Sequence, residues 1–219
     1  MRTRKPPRVR MQPRRPRGRP KAEDVEALEA RLVSVARQAF VLNGYGATSI
    51  NAIAKAARVS KNTLYTRFPS KAALFQVIVA RQIASVDEEL HPTSRDHAES
   101  LEDKLRTYVD AALRRSLSGD VLEINRLILS ESHQFPELGE AARARFQIGV
   151  QNVARFIEVS AERDRIPCRN PAAAAEVFLY SVYGWYNSLM ITNRTVTERE
   201  RTSWVDRAIA IFMAGRSEW

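Results

Sequence analysis

Apolar residues recur at three- and four-residue steps almost from one end of this chain to the other, which is the period of one helix face. From about Asp24 to Leu42 the stripe is Val25, Leu28, Leu32, Val35, Ala36, Ala39 and Phe40, and Asn43-Gly44 ends it as a helix C-terminus should. Two short stripes follow: Ile50, Ile53, Ala54 and Ala57 behind an N-cap at Ser49, then Leu64 and Phe68 behind a second cap at Ser60. Residues 71–90 form a longer helix with Leu74, Phe75, Ile78, Val79, Ile83 and Val86 on one side, stopped by His91-Pro92-Thr93-Ser94. Leu101, Leu105, Val109, Ala112 and Leu113 mark the next helix, and Gly119 separates it from one over 121–130. Pro136 precedes a long helix over about 138–163, Asn170-Pro171 opens an apolar and aromatic helix over 172–191, and Thr197 with Glu200 forms a capping box for the last. No alternating strand pattern, hairpin turn or internal repeat interrupts this series. The expected fold is all-α, with about nine helices.

The pair of short helices at residues 48–71 carries the most information. Arg58-Val59 breaks the first stripe, so the segment reads as a helix-turn-helix. With Leu64 and Phe68 turned inwards, Lys61, Asn62, Thr63, Thr66 and Arg67 lie on the outer side of the second helix. Amides and guanidinium groups match the paired donors and acceptors of base edges in a major groove, and hydroxyls match phosphates. An ordinary helical hairpin with a solvated face has the same periodicity, and the pattern by itself leaves that alternative open.

Thr48-Ser49-Ile50, Ile53-Ala54, Val59-Ser60-Lys61, Thr63-Leu64-Tyr65, Phe68 and Ser70-Lys71 resemble the signature of the TetR/AcrR family of bacterial transcriptional regulators, over about Arg31 to Phe75. The resemblance implies a DNA-reading domain followed by a helical regulatory and dimerisation domain: here 23–70 and 71–219, behind an arm at 1–22. It assigns base reading to Lys61, Asn62, Thr63 and Thr66, and phosphate contacts to Thr48, Tyr65, Arg67 and Lys71. It also implies that the last two helices pair with those of a second copy, setting two heads against successive major grooves of double-stranded DNA. Two positions depart from the family pattern. Arg58 stands where the turn commonly has glycine, which costs on the order of 1 kcal/mol if the backbone is left-handed and places a guanidinium within reach of a phosphate. Asn62 replaces another frequent glycine, so an operator sequence is not transferable from relatives.

Charge changes the picture at one end only. Ten of the 35 Lys and Arg residues lie in residues 1–21, which hold none of the 25 Asp and Glu, so the formal excess of +10 belongs to this arm and the rest is neutral overall. A self-repelling basic run with prolines buries no apolar surface and is expected to be disordered, with a polyanion as partner. Pro16-Arg17-Gly18-Arg19-Pro20 resembles an AT-hook, in which Arg17 and Arg19 would enter a narrow minor groove; a generic arm touching only phosphates is the equal alternative. The arm has no apolar continuation of the secretory kind, and no stretch approaches the roughly 20 apolar residues of a membrane span, so a cytoplasmic protein is expected. The single cysteine, Cys168, leaves no internal disulfide.

Catalytic constellations are missing. His91, His97 and His133 lack metal-ligand spacing, there is no phosphate-binding glycine loop or nucleophile elbow, and Glu131 beside His133 reads as a solvated helix end. No enzyme, metal site or cofactor is expected. The stretch Glu131 to Leu138 resembles one found in a subgroup with related C-terminal domains. Tyr108, Arg126, Phe146, Tyr183, Trp185 and Asn187 put polar groups or aromatic faces on apolar helices and are candidates for an effector pocket. The expected function is a ligand-responsive repressor, dimeric on an inverted repeat. The alternative is an architectural protein whose basic arm coats A·T-rich DNA.

Overall fold

The caps read from the sequence form, and they set where the helices begin. In the computed structural model, which describes residues 22–90 and 100–219, the helices are α1 (Ala22–Asn43), α2 (Ile50–Ala56), α3 (Lys61–Arg67), α4 (Lys71–Leu90), α5 (Leu101–Ser116), α6 (Gly119–Glu131), α7 (Pro136–Asp164), α8 (Pro171–Ile191) and α9 (Glu198–Ala214). A 3-10 turn at Arg216–Glu218 follows, and no strand occurs among the described residues. The expected breaker at His91–Ser94 and the basic arm, with Arg17 and Arg19, lie outside the described residues.

Ser49, Ser60, Ser100, Asn170 and Thr197 each accept a backbone N–H three residues on, and Glu200 returns a bond to the Thr197 backbone, completing the capping box. Two starts differ from expectation, while Asn170-Pro171 opens α8 as the sequence implied. Pro136 is the first residue of α7 rather than a breaker before it, because a missing N–H costs nothing in the first turn. Gly119 opens α6 at φ +52° instead of lying between helices.

Two apolar clusters hold the helices together. The first contains Leu32, Phe40, Ile53, Leu64, Leu74 and Phe75 from the N-terminal helices with Tyr45 from the α1–α2 loop, and it continues into Ile124, Ile128 and Leu138 of α6 and α7. Phe40, Tyr45, Phe75 and Phe135 meet at centroid distances of 5.2–5.6 Å, mostly edge to face. The reading head therefore shares its core with the body. The second cluster fills the space between α5, α7, α8 and α9 with Leu105, Val109, Val153, Ile157, Phe178, Val182 and Ile209. Arg201–Asp110 and Arg106–Asp206, both 2.8 Å, link α9 to α5 at its edge.

Candidate nucleic-acid interface and effector cavity

α3 is a seven-residue helix held from beneath. Leu64 is fully buried and Phe68 nearly so, which turns Lys61, Asn62, Tyr65 and Thr66 to solvent and leaves Thr63 and Arg67 partly exposed. Ser60 Oγ accepts from the Thr63 backbone N–H and lies 2.7 Å from the Thr63 hydroxyl, while the Thr66 hydroxyl donates to the Asn62 carbonyl at 2.8 Å. Lys61 extends over Tyr65, 5.5 Å from its ring centre. The outer face is thus a short row of hydrogen-bonding and cationic groups on a rigid, capped element, the shape a major groove accepts.

Arg58 has φ +54°, so it does occupy the left-handed position where relatives commonly have glycine. The reason is the end of α2: Arg58 N donates to Lys55 O and Val59 N to Ala54 O, the paired bonds of a Schellman motif. Its side chain is exposed beside α3.

Two side chains expected at phosphates are turned inwards. Thr48 is buried, and its hydroxyl donates to Gly44 O at 2.7 Å and Ala39 O at 3.1 Å. The Lys71 ammonium donates to Tyr45 O at 2.8 Å and Thr48 O at 3.1 Å and lies 4.3 Å from the centre of the Tyr45 ring. Both satisfy carbonyls of the α1–α2 loop, a need invisible in the spacing.

Glu131 also departs from expectation. It is a latch rather than a solvated helix end: its carboxylate accepts from Tyr45 N at 3.2 Å and Gly46 N at 3.0 Å, and the Tyr45 hydroxyl donates to Glu137 at 2.8 Å. Burial, then the Glu137 bond, raises the Tyr45 phenol well above its ordinary range. The end of α6 and the start of α7 thereby grip the loop that leads into the reading pair.

Behind the head, α5, α6, α7 and α8 border a pocket of about 140 Å³ that opens to solvent on one side. Tyr108 and Tyr183 line it as expected; Arg126, Phe146, Trp185 and Asn187 do not. Arg126 faces outwards to Glu123 and Asn193, Phe146 packs on Tyr180 at 4.5 Å, and Trp185 stacks on Trp204 at 4.4 Å. The residues missed are Arg145 and Tyr186 on the wall and Asn125 beside them. Arg145 Nη1 donates to Asn125 Oδ1 at 2.7 Å. Burial lowers the pKa of the Arg145 guanidinium, with Tyr186 and Tyr183 opposing, and burial raises that of the Tyr186 phenol. A signal was present, since Arg145 falls on the apolar stripe of Leu138, Ala141 and Gly149, and Asn125 falls beside Ile124 and Ile128.

A second feature lies on the far side of the body. Val177, Tyr180, Gly184, Ser188 and Ile191 make an exposed stripe along α8, with Val177 at 69% and Ile191 at 75% exposure, and Ile211 of α9 is exposed at 76%. A groove of about 600 Å³ runs between these helices.

A short capped helix turned outwards on a shared core, with an all-helical body behind, defines the helix-turn-helix regulators as a class. Residues 32–78 match the bacterial regulatory proteins of the tetR family, and residues 103–215 match the AefR-like transcriptional repressor C-terminal domain. The chain belongs to the tetR family and is a DNA-binding transcriptional regulator. It is similar to the uncharacterized HTH-type transcriptional regulator YvkB of Bacillus subtilis, with 22% identity over 85% of this chain and 96% of the relative. Among solved structures it is similar to the flavonoid-responsive regulator FrrA, with 28% identity, a TM-score of 0.70, and 87% and 97% of the two chains covered. Salmonella enterica GusR has the same fold, with 23% identity, a TM-score of 0.64, and 86% and 96% covered. No helix among the described residues is long and apolar enough to cross a membrane.

Proposed function

We propose that this regulator is a ligand-responsive repressor that binds an inverted-repeat operator as a homodimer. The observation that carries the reading is the outward face of α3, where Lys61, Asn62 and Thr66 stand exposed on a helix anchored by Leu64 and Phe68. Lys61, Asn62, Thr63 and Thr66 read bases, and Tyr65, Arg67 and Arg58 hold phosphates around them; Arg17 and Arg19 add minor-groove contacts. The exposed apolar stripe of α8 and Ile211 of α9 supports a twofold interface, since a lone body would leave it in water. The likeness to a flavonoid-responsive regulator and the AefR-like repressor match support ligand response and repression.

The effector acts from the cavity. Binding there favours one arrangement of the body helices, and movement of α4 and of the Glu131 latch takes the paired heads off groove spacing. Only a difference in effector affinity between the two shapes can drive this.

Footprinting on genomic fragments tests the reading. A bounded, symmetric protected site is expected, weakened when the effector is added. Diffuse protection of A·T-rich DNA would overturn it in favour of an architectural protein.

A further inference from the structure

We infer that Asn62 and Thr66 select two A·T base pairs in each half of the operator, Asn62 through the N6 and N7 atoms of an adenine and Thr66 through the methyl group of a thymine. This rests on α3 being the helix that enters the major groove, and it adds the bases preferred there.

Position is the first argument. Leu64 and Phe68 are buried and fix the inner side of α3. Successive residues of a helix turn by about 100°, so Asn62 and Thr66 lie within about 40° of the point directly opposite those two, and both are exposed. The cations stand to either side of this line. Lys61 extends over the Tyr65 ring, 5.5 Å from its centre, and Arg67 is only partly exposed. The centre of the outer face is therefore uncharged, without the cationic donors that the two acceptors of guanine ordinarily meet.

Hydrogen-bond state is the second argument. The Asn62 amide has no partner among the described residues. It offers a donor and an acceptor side by side, and adenine presents the complementary pair, the N7 acceptor and the N6 donor, on a single base in the major groove. Thr66 differs, because its hydroxyl already donates to the Asn62 carbonyl at 2.8 Å. With that proton committed inside the helix, the side chain keeps an oxygen that only accepts and a methyl group. Apolar contact with the C5 methyl of thymine is the readout a threonine methyl can make. The two side chains are one turn apart, about 6 Å along α3, against ~3.4 Å between base pairs, so the two A·T pairs fall one or two steps apart.

The test is selection of DNA sites from a random library by the full chain and by three variants at these exposed positions, followed by binding titrations on the selected duplex. The unaltered chain is expected to select a bounded site with two such A·T pairs in each half. Asn62→Ala should reduce the preference at one of them about fivefold or more and leave the other positions as they were. Thr66→Ser should relax the second pair, whereas Thr66→Val, which keeps a methyl and loses the hydroxyl, should retain it. Uracil in place of that thymine removes the base methyl alone, and it should weaken the unaltered chain several-fold but not Thr66→Ser. Any A·T preference contributed by the basic arm survives all three substitutions, so only the pairs that change with a variant count. A G·C pair relaxed by either Asn62→Ala or Thr66→Ser, a selected site that no substitution alters, or equal binding of thymine and uracil duplexes would overturn the inference and keep the regulator. Selection of no bounded site would remove both readings.

Discussion

Lys71 donates to the carbonyls of Tyr45 and Thr48 and packs its ammonium against the Tyr45 ring, so a methionine there keeps the stem and deletes every polar contact. Lys71→Met is expected to lower stability by on the order of 1–2 kcal/mol, the worth of partly buried bonds from a charged donor, as measured by urea denaturation. Unchanged stability with a flatter salt dependence of DNA binding would instead make the lysine a phosphate contact. Arg58 presents the opposite balance. Its φ of +54° suits glycine better than any branched stem, while its guanidinium is exposed beside the recognition helix. Arg58→Gly should therefore raise stability by up to about 1 kcal/mol and weaken DNA binding, with a smaller dependence on salt. A loss on the first measurement or no change on the second would contradict the assignment.

Between elements, the polar contact added to the shared core of reading head and body is the grip of α6 and α7 on the α1–α2 loop. Glu131 gives one oxygen to each of two adjacent backbone N–H groups, and Gly44 beside it has φ +80° with its Cβ position only 2.8 Å from a Glu131 oxygen. Any side chain at position 44 would strain the backbone and displace the carboxylate. Glu131→Ala leaves both N–H groups without their acceptor and is expected to cost about 1–3 kcal/mol. Amide exchange should speed up at Tyr45 and Gly46 while the centre of α8 keeps its protection. Uniform acceleration across the chain would mean that the latch stabilises the molecule as a whole rather than this junction. Because α6 also lines the cavity through Val121, the same element borders both the cavity and the head.

For the whole molecule, the exposed stripe of Val177, Tyr180 and Ile191 with Ile211 is the surface on which the proposed dimer depends. Ile211→Arg places a charge in the middle of that apolar face without touching either buried cluster. Sedimentation at micromolar concentration should show the variant as a folded monomer and the unaltered chain as a dimer. Operator affinity should fall by at least about tenfold, because two heads no longer bind as one unit. Equal sedimentation of the two proteins would move the interface elsewhere.

Helix number, caps, the reading pair and its inner and outer faces were all legible in the chain, because they depend on neighbours three or four residues apart. Ser49, Ser60 and Thr197 act on backbone groups within their own turn, and Leu64 with Phe68 define an inner face by spacing alone. The backbone at Arg58 was left open by the sequence, and the structure decided it in favour of the left-handed conformation. What only the tertiary structure decided were partnerships across long separations: Glu131 with Tyr45 and Gly46, Lys71 with the loop at Tyr45 and Thr48, and Arg145 with Asn125 beside Tyr186. Periodicity tells which side of a helix is apolar, but a polar residue on that side finds its role only when another helix brings it a partner.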